Sequence, residues 1–152
     1  MTATRVSRVM HASRDAIYAA CIDPEKLVRW RVPDGMRAFI HEFDAREGGR
    51  YRMSLVYADP RSGPGGKTTQ DTDSFTGTFV KLVSNERIVE RIVFDTGDDR
   101  YSGVMTMTIS FRDADGGTEV TILTENLPPG IRPEDNRLGC EMSLKNLARL
   151  VE

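Results

Sequence analysis

An α+β fold is predicted by this sequence: a curved, seven-stranded antiparallel sheet wrapped round a long C-terminal helix, with two short helices between strands one and two. Three observations carry it. From Pro133 to Glu152, Cys140, Leu144, Leu147 and Val151 recur at helical spacing on one stripe, while Glu141, Lys145, Arg149 and Glu152 fall on the other side. Between Arg37 and Thr124, six runs alternate or stay apolar over strand-like lengths, with turn signals between them. Two short helical segments, each opened by a capping residue, stand between a first alternating stretch and those six runs. A one-sided helix needs a partner surface. A sheet that curls round it supplies one and leaves room for a ligand between them.

In chain order, Thr4 to Met10 alternates weakly and reads as a first strand entering at an edge. Ser13 caps the segment Arg14 to Cys21, which carries Ile17, Ala20 and Cys21 on one side. Asp23-Pro24 restarts a second helix at once, because proline at the first helical position loses no hydrogen bond and the aspartate caps it. Leu27 and Trp30 lie three apart on this helix, and Pro33-Asp34-Gly35 ends it. The six runs are Ala38 to Asp44, Gly49 to Tyr57, Phe75 to Val83, Arg87 to Phe94, Ser102 to Phe111 and Thr118 to Thr124. Most joints between them are short and rich in glycine, asparagine and aspartate, so consecutive strands should pair antiparallel. One joint, Ala58 to Ser74, is long and reads as a lid or a mobile loop. Alternation puts Tyr51, Met53, Leu55 and Tyr57 on one face and Met105, Met107, Ile109 and Phe111 on another, both turned to the long helix. Phe39, His41 and Phe43 are expected to do likewise. With Ile88, Ile92 and Phe94 inward, Glu90 goes with them.

The composition, 39% hydrophobic and 29% charged over 152 residues, is that of one soluble globular domain, residues 1–152. No apolar run approaches the roughly 20 residues that span a bilayer, so no membrane insertion is expected. Met1 to Met10 lacks the apolar core of a signal peptide, which makes the expected location cytoplasmic. A formal charge of −2 argues against nucleic-acid binding, since phosphate neutralisation needs a concentrated basic face. Cys21 and Cys140 stand far apart with no paired histidines nearby and read as free thiols.

The order strand, two short helices, six strands, long helix, together with certain local motifs, resembles a known superfamily. The motifs are Asp23-Pro24 with Leu27 and Trp30; Asp44-x-Arg46-x-Gly48-Gly49-x-Tyr51; Gly77 with Glu86-Arg87-Ile88-Val89; Gly117-Thr118-x-Val120; and Gly139 with Leu144 and Leu147. The chain is similar to the START-like, or SRPBCC, helix-grip superfamily, also called Bet v-like. Within it the chain resembles the homologue-type activators of heat-shock protein 90 ATPase. The resemblance implies the helix-grip fold over essentially the whole chain. It leaves function open, because the superfamily includes lipid and hormone carriers, polyketide cyclases and stress-response proteins. One residue departs from the family pattern: the residue after the final-helix glycine is typically tryptophan, and here it is Cys140. The smaller side chain either enlarges a pocket or is compensated by neighbours such as Met142 and Met107.

Several stretches mimic functional motifs and fail a physical test. Arg61 to Thr68 ends like a phosphate loop, but its first glycine is replaced by Arg61 and a strand follows it. Asp71-x-Asp73 and Asp95 to Asp99 lack the glycine and terminal glutamate of a calcium loop. No metal or cofactor is expected.

The leading expectation is a cavity that binds a small hydrophobic molecule, with Phe39, His41, Tyr51, Met53, Leu55, Phe79, Ile92, Met107, Cys140, Leu144 and Leu147 as its wall. Arg137 reads either as a solvated arginine or as a charge at the mouth. A second reading is an enzyme of the cyclase or hydratase kind, with His41 partnered by Tyr51, Tyr57 or Glu90 as a proton shuttle. It requires His41 and Glu90 on the same face. A third is a protein partner, as for the chaperone activators, which predicts an exposed apolar patch. The chain is expected as a monomer, or as a homodimer through a strand edge.

Overall fold

The computed structural model describes residues 2–57 and 72–152. The expected lid and the phosphate-loop mimic lie outside those residues, apart from Thr72 to Ser74, which open a strand. The chain runs β1 (Ala3–Met10), α1 (Arg14–Ile22), α2 (Pro24–Trp30), β2 (Met36–Phe43), β3 (Arg50–Tyr57), β4 (Thr72–Val83) and β5 (Arg87–Phe94). A 3-10 turn at Asp99–Tyr101 follows, then β6 (Met105–Ala114), β7 (Gly117–Glu125) and α3 (Pro133–Val151). All seven strands pair antiparallel in the order β1-β7-β6-β5-β4-β3-β2. The helix-grip architecture is therefore as the sequence implied.

The helix starts follow from local chemistry. The Ser13 hydroxyl accepts from the Ala16 amide at 3.4 Å, and the Asp23 carboxylate accepts from the Glu25 amide at 3.0 Å. Trp30, 1% exposed, donates from its indole Nε1 to the Ala20 carbonyl at 2.9 Å, which ties the two short helices together. α3 lies against β1, α1 and α2. It buries Ser143, Leu144, Leu147 and Ala148 and leaves Glu141 and Arg149 exposed, as its stripe predicts.

Register decides which residues face the helix. Side chains on directly opposed residues of neighbouring strands point to the same face. One inward row runs Phe43, Tyr51, Gly77, Ile92, Met105, and the next runs Phe79, Glu90, Met107, Thr124, Thr4. Phe39 instead opposes Ser54, which in turn opposes Ser74, on the outer face. There it is 49% exposed. The pairing of β2 with β3 slips between Ile40 and Glu42, so His41 is the extra residue of a bulge. The bulge brings Phe43 inward while His41 stays outside, exposed, with its Nε2 2.9 Å from the Ser54 hydroxyl. Thus Phe39 and His41 do not face the helix: a strict period of two fails at a position where the chain carries one extra residue.

Gly77 answers a packing need. A Cβ there would sit 2.1 Å from carbons of the Tyr51 ring. Only a bare backbone lets that ring lie across β4, on the inner face beneath the helices.

Candidate ligand site

Between the sheet and the N-terminal half of α3 lies a cavity of about 520 Å3. β3, β4 and β5 supply Leu55, Phe75 and Ile92, β6 supplies Met105 and Met107, and the segment before α3 supplies Ile131. On the helix side the wall is Asn136, Gly139, Cys140, Met142 and Ser143. The small side chains among these leave the space open. Trp30 and Arg31, at and just past the end of α2, close one end.

Beneath that end sits a buried polar cluster. Arg31 donates from Nη1 to Glu90 Oε2 at 3.0 Å and from Nη2 to the Tyr51 hydroxyl at 2.9 Å. The Tyr51 hydroxyl in turn donates to Glu90 Oε1, which closes a ring of three side chains. Glu90 is 2% exposed, Tyr51 fully buried and the Arg31 side chain 11% exposed. The Arg31 guanidinium also lies 5.3 Å from the Tyr51 ring centroid, and Nη2 is 3.8 Å from Met107 Sδ. A carboxylate this deep requires a cation and further donors, and the cluster provides both. Burial works against the Arg31 cation, but the charge and hydrogen bonds of Glu90 and Tyr51 more than offset it, so its pKa stands above the ordinary arginine value. Burial, with the Glu90 charge adding to it, pushes the Tyr51 phenol well above its usual range despite the opposing pull of Arg31. Both groups are therefore donors at neutral pH and neither is a base.

The two thiols behave alike. Burial pushes the Cys21 and Cys140 pKa values up, so neither is poised as a thiolate. Cys140 Sγ lies 3.9 Å from Asn136 Oδ1, which also accepts from the Thr4 hydroxyl.

Of the residues expected at the site, Leu55, Ile92, Met107 and Cys140 line the cavity. Tyr51, Met53, Phe79, Glu90, Leu144 and Leu147 are buried behind that wall, in the core or in the polar cluster. Arg137 is exposed, in a shallow surface depression with Glu134, Leu138 and Glu141. It is a solvated side chain with no place at the mouth. Phe39 and His41 are on the outer face, so His41 and Glu90 stand on opposite sides of the sheet. That separation removes the histidine proton shuttle. The acidic stretch after β5 makes ordinary surface pairs, Asp95 with Arg52 at 2.9 Å and Asp98 with Arg100 at 2.7 Å.

Sequence reasoning missed Arg31. The signal was available: a glutamate on the inward alternation of β5 calls for a buried cation, and Arg31 directly follows the buried Trp30.

Comparison with known proteins places the chain among relatives of this shape. No curated protein matches it. A protein from Chromobacterium violaceum is 35% identical, with 99% of this chain and 96% of that one aligned at a TM-score of 0.86. A Rhodobacter sphaeroides protein (19% identity, 98% and 91% coverage, TM-score 0.75) and the AHSA1-like protein of Aeromonas hydrophila (20%, 99% and 92%, 0.72) share the fold. The sequence profile of the family described as Activator of Hsp90 ATPase homolog 1-like protein matches residues 11–152. With nearly the whole chain inside that profile and the helix-grip topology complete, this chain belongs to the family of activator of Hsp90 ATPase homolog 1-like proteins.

Proposed function

We propose that this chain binds a small, mainly apolar molecule in the cavity between its sheet and α3. The carrying observation is an open space of about 520 Å3 beside the buried core. Apolar side chains such as Leu55, Phe75, Ile92, Met105 and Met107 face this space, and their apolar surface is available to a ligand. The size of the space falls within the range of roughly 300–1,000 Å3 for small-molecule sites, as does its character of apolar walls with a few fixed polar groups. Apolar contact would supply affinity, while Arg31 and Asn136, which border the space, would supply orientation.

The test is native mass spectrometry of the protein purified from its own host, followed by organic extraction. A stoichiometric apolar compound is expected, lost in Cys140→Trp, where an indole occupies the space. An empty protein that gains no thermal stability from a broad panel of lipids and polyketides would overturn the reading. A protein-binding role would then lead.

A further inference from the structure

The polar groups at the cavity wall also constrain the chemistry of what enters, given that an apolar ligand binds there at all. The Glu90 carboxylate takes the terminal fork of Arg31, and Nη2 is further committed to Tyr51 and Met107. The Arg31 Nε–H makes no hydrogen bond among the described residues, although Arg31 borders the cavity. On the helix wall, Asn136 accepts through Oδ1 from Thr4 and Cys140, which leaves its Nδ2 hydrogens without a described partner. Both uncommitted sites are donors. They ask for an acceptor.

Charge decides which kind of acceptor. Arg31 is already neutralised by Glu90, 3.0 Å away and 2% exposed. An incoming carboxylate would face that buried anion in a low-dielectric space, and like charges so placed repel strongly. The other charged residues bordering the cavity do not reverse this. Arg132 is outnumbered by Asp34, Asp73 and Asp135; Asp34 pairs with Lys145 at 3.4 Å, and Asp73 is itself engaged. A neutral carbonyl oxygen takes a donor hydrogen from Arg31 or Asn136 without adding charge.

We propose that the ligand of this cavity is an uncharged apolar molecule bearing a carbonyl oxygen, seated with that oxygen on Arg31 Nε, and that the cavity discriminates against carboxylates of the same length. This rests on the small-molecule reading above, and the experiment separates the two. Methyl octyl ketone, decanoate and decane are matched in chain length. Each is titrated into the full chain, with the fluorescence of Trp30, the single tryptophan and a wall residue, as the readout. The ketone is expected to bind about tenfold or more tighter than either of the others, the worth of one hydrogen bond from a charged donor. Ketone and decane binding equally would overturn the carbonyl assignment and leave the cavity reading standing. Decanoate binding tightest would overturn it in favour of an anionic head group. No binding of any probe would overturn both.

An infrared spectrum of the bound ketone assigns the contact without a variant. Its carbonyl stretch should fall below the value in alkane, and an unshifted band would overturn the hydrogen bond. The double variant Arg31→Met, Glu90→Met, which removes both charges together, should bring the ketone and decane affinities to within about twofold of each other. A retained preference would show that the oxygen is held elsewhere.

Discussion

At its C-terminal end α3 sets Leu144, Leu147 and Ala148, none more than 2% exposed, into the same core as Met10, Ile17 and Trp30. At its N-terminal end the same helix sets Asn136, Gly139, Cys140 and Ser143 beside a cavity of about 520 Å3. Both ends rest on one sheet, and the difference is side-chain volume. Leu144 and Leu147 are buried in the core, whereas Gly139, Cys140 and Ser143 border open space. The cavity thus depends on a few residue choices over about two turns of helix, and the helix-grip topology alone does not dictate it. The Arg31–Glu90–Tyr51 cluster stands at the border between filled and open halves.

The largest expected effect is at that border. Arg31→Met leaves a buried carboxylate without its cation and should cost about 3–5 kcal/mol in urea unfolding. Pairing it with Glu90→Met should recover most of the loss, because the hydrocarbon replacement leaves no buried charge. If the single variant costs under about 1 kcal/mol, the cluster is more hydrated than its burial implies and the border is no border.

Next comes a direct contrast between the halves. Leu147→Ala should cost about 3–5 kcal/mol, since it opens a new void in a filled core. Leu55→Ala should cost about 1–2 kcal/mol, because Leu55 is half-buried and already faces open space, so only its transfer energy is lost. Equal losses, measured by denaturant midpoints, would mean that the open half is packed in solution.

The sequence made one of these halves readable and blurred the other. The closed half follows from the stripe of Leu144 and Leu147, because full burial imposes a strict helical period. The sheet and its order followed from alternation and turn chemistry in the same way. The open half needed two facts that no local pattern records. One is the extra residue at His41, which reverses the facing of β2 midway, so Phe39 and His41 were expected on the wrong face. The other is the partner of Glu90. Its inward position follows from the sequence only if Ile88, Ile92 and Phe94 face inward, and Tyr51 and Glu90 enter only as alternative partners of His41; Arg31 lies 59 positions away from Glu90 on another element. Only the tertiary structure joins them.

Alkaline pH gives a smaller test. The folded pKa of Tyr51 lies above its unfolded value near 10, and that of Tyr18 is raised too, first by burial. Above about pH 10 the unfolded chain gives up phenolic protons that the native state retains, so stability from these groups is complete at neutral pH and falls as pH rises. Urea midpoints should therefore decline above about pH 10, less steeply in Tyr51→Phe. An identical decline in that variant would mean that Tyr51 titrates freely, and that the border cluster is open to water.

The smallest effect belongs to Gly139, and its sign carries the information. Glycine within a helix interior is less favourable than alanine by about 0.5–1 kcal/mol, through backbone entropy alone. In a packed helix face that gain is usually cancelled by the clash of the added methyl. Here a Cβ would meet nothing within 4 Å, because Gly139 borders the cavity. Gly139→Ala should then raise stability by about the full helical increment, whereas overpacking in a filled core would cost about 1–3 kcal/mol. A measured gain would locate the open space directly beside α3 without any ligand. A loss would show that the sheet and helix close on one another at this turn, so that both halves of α3 are filled alike.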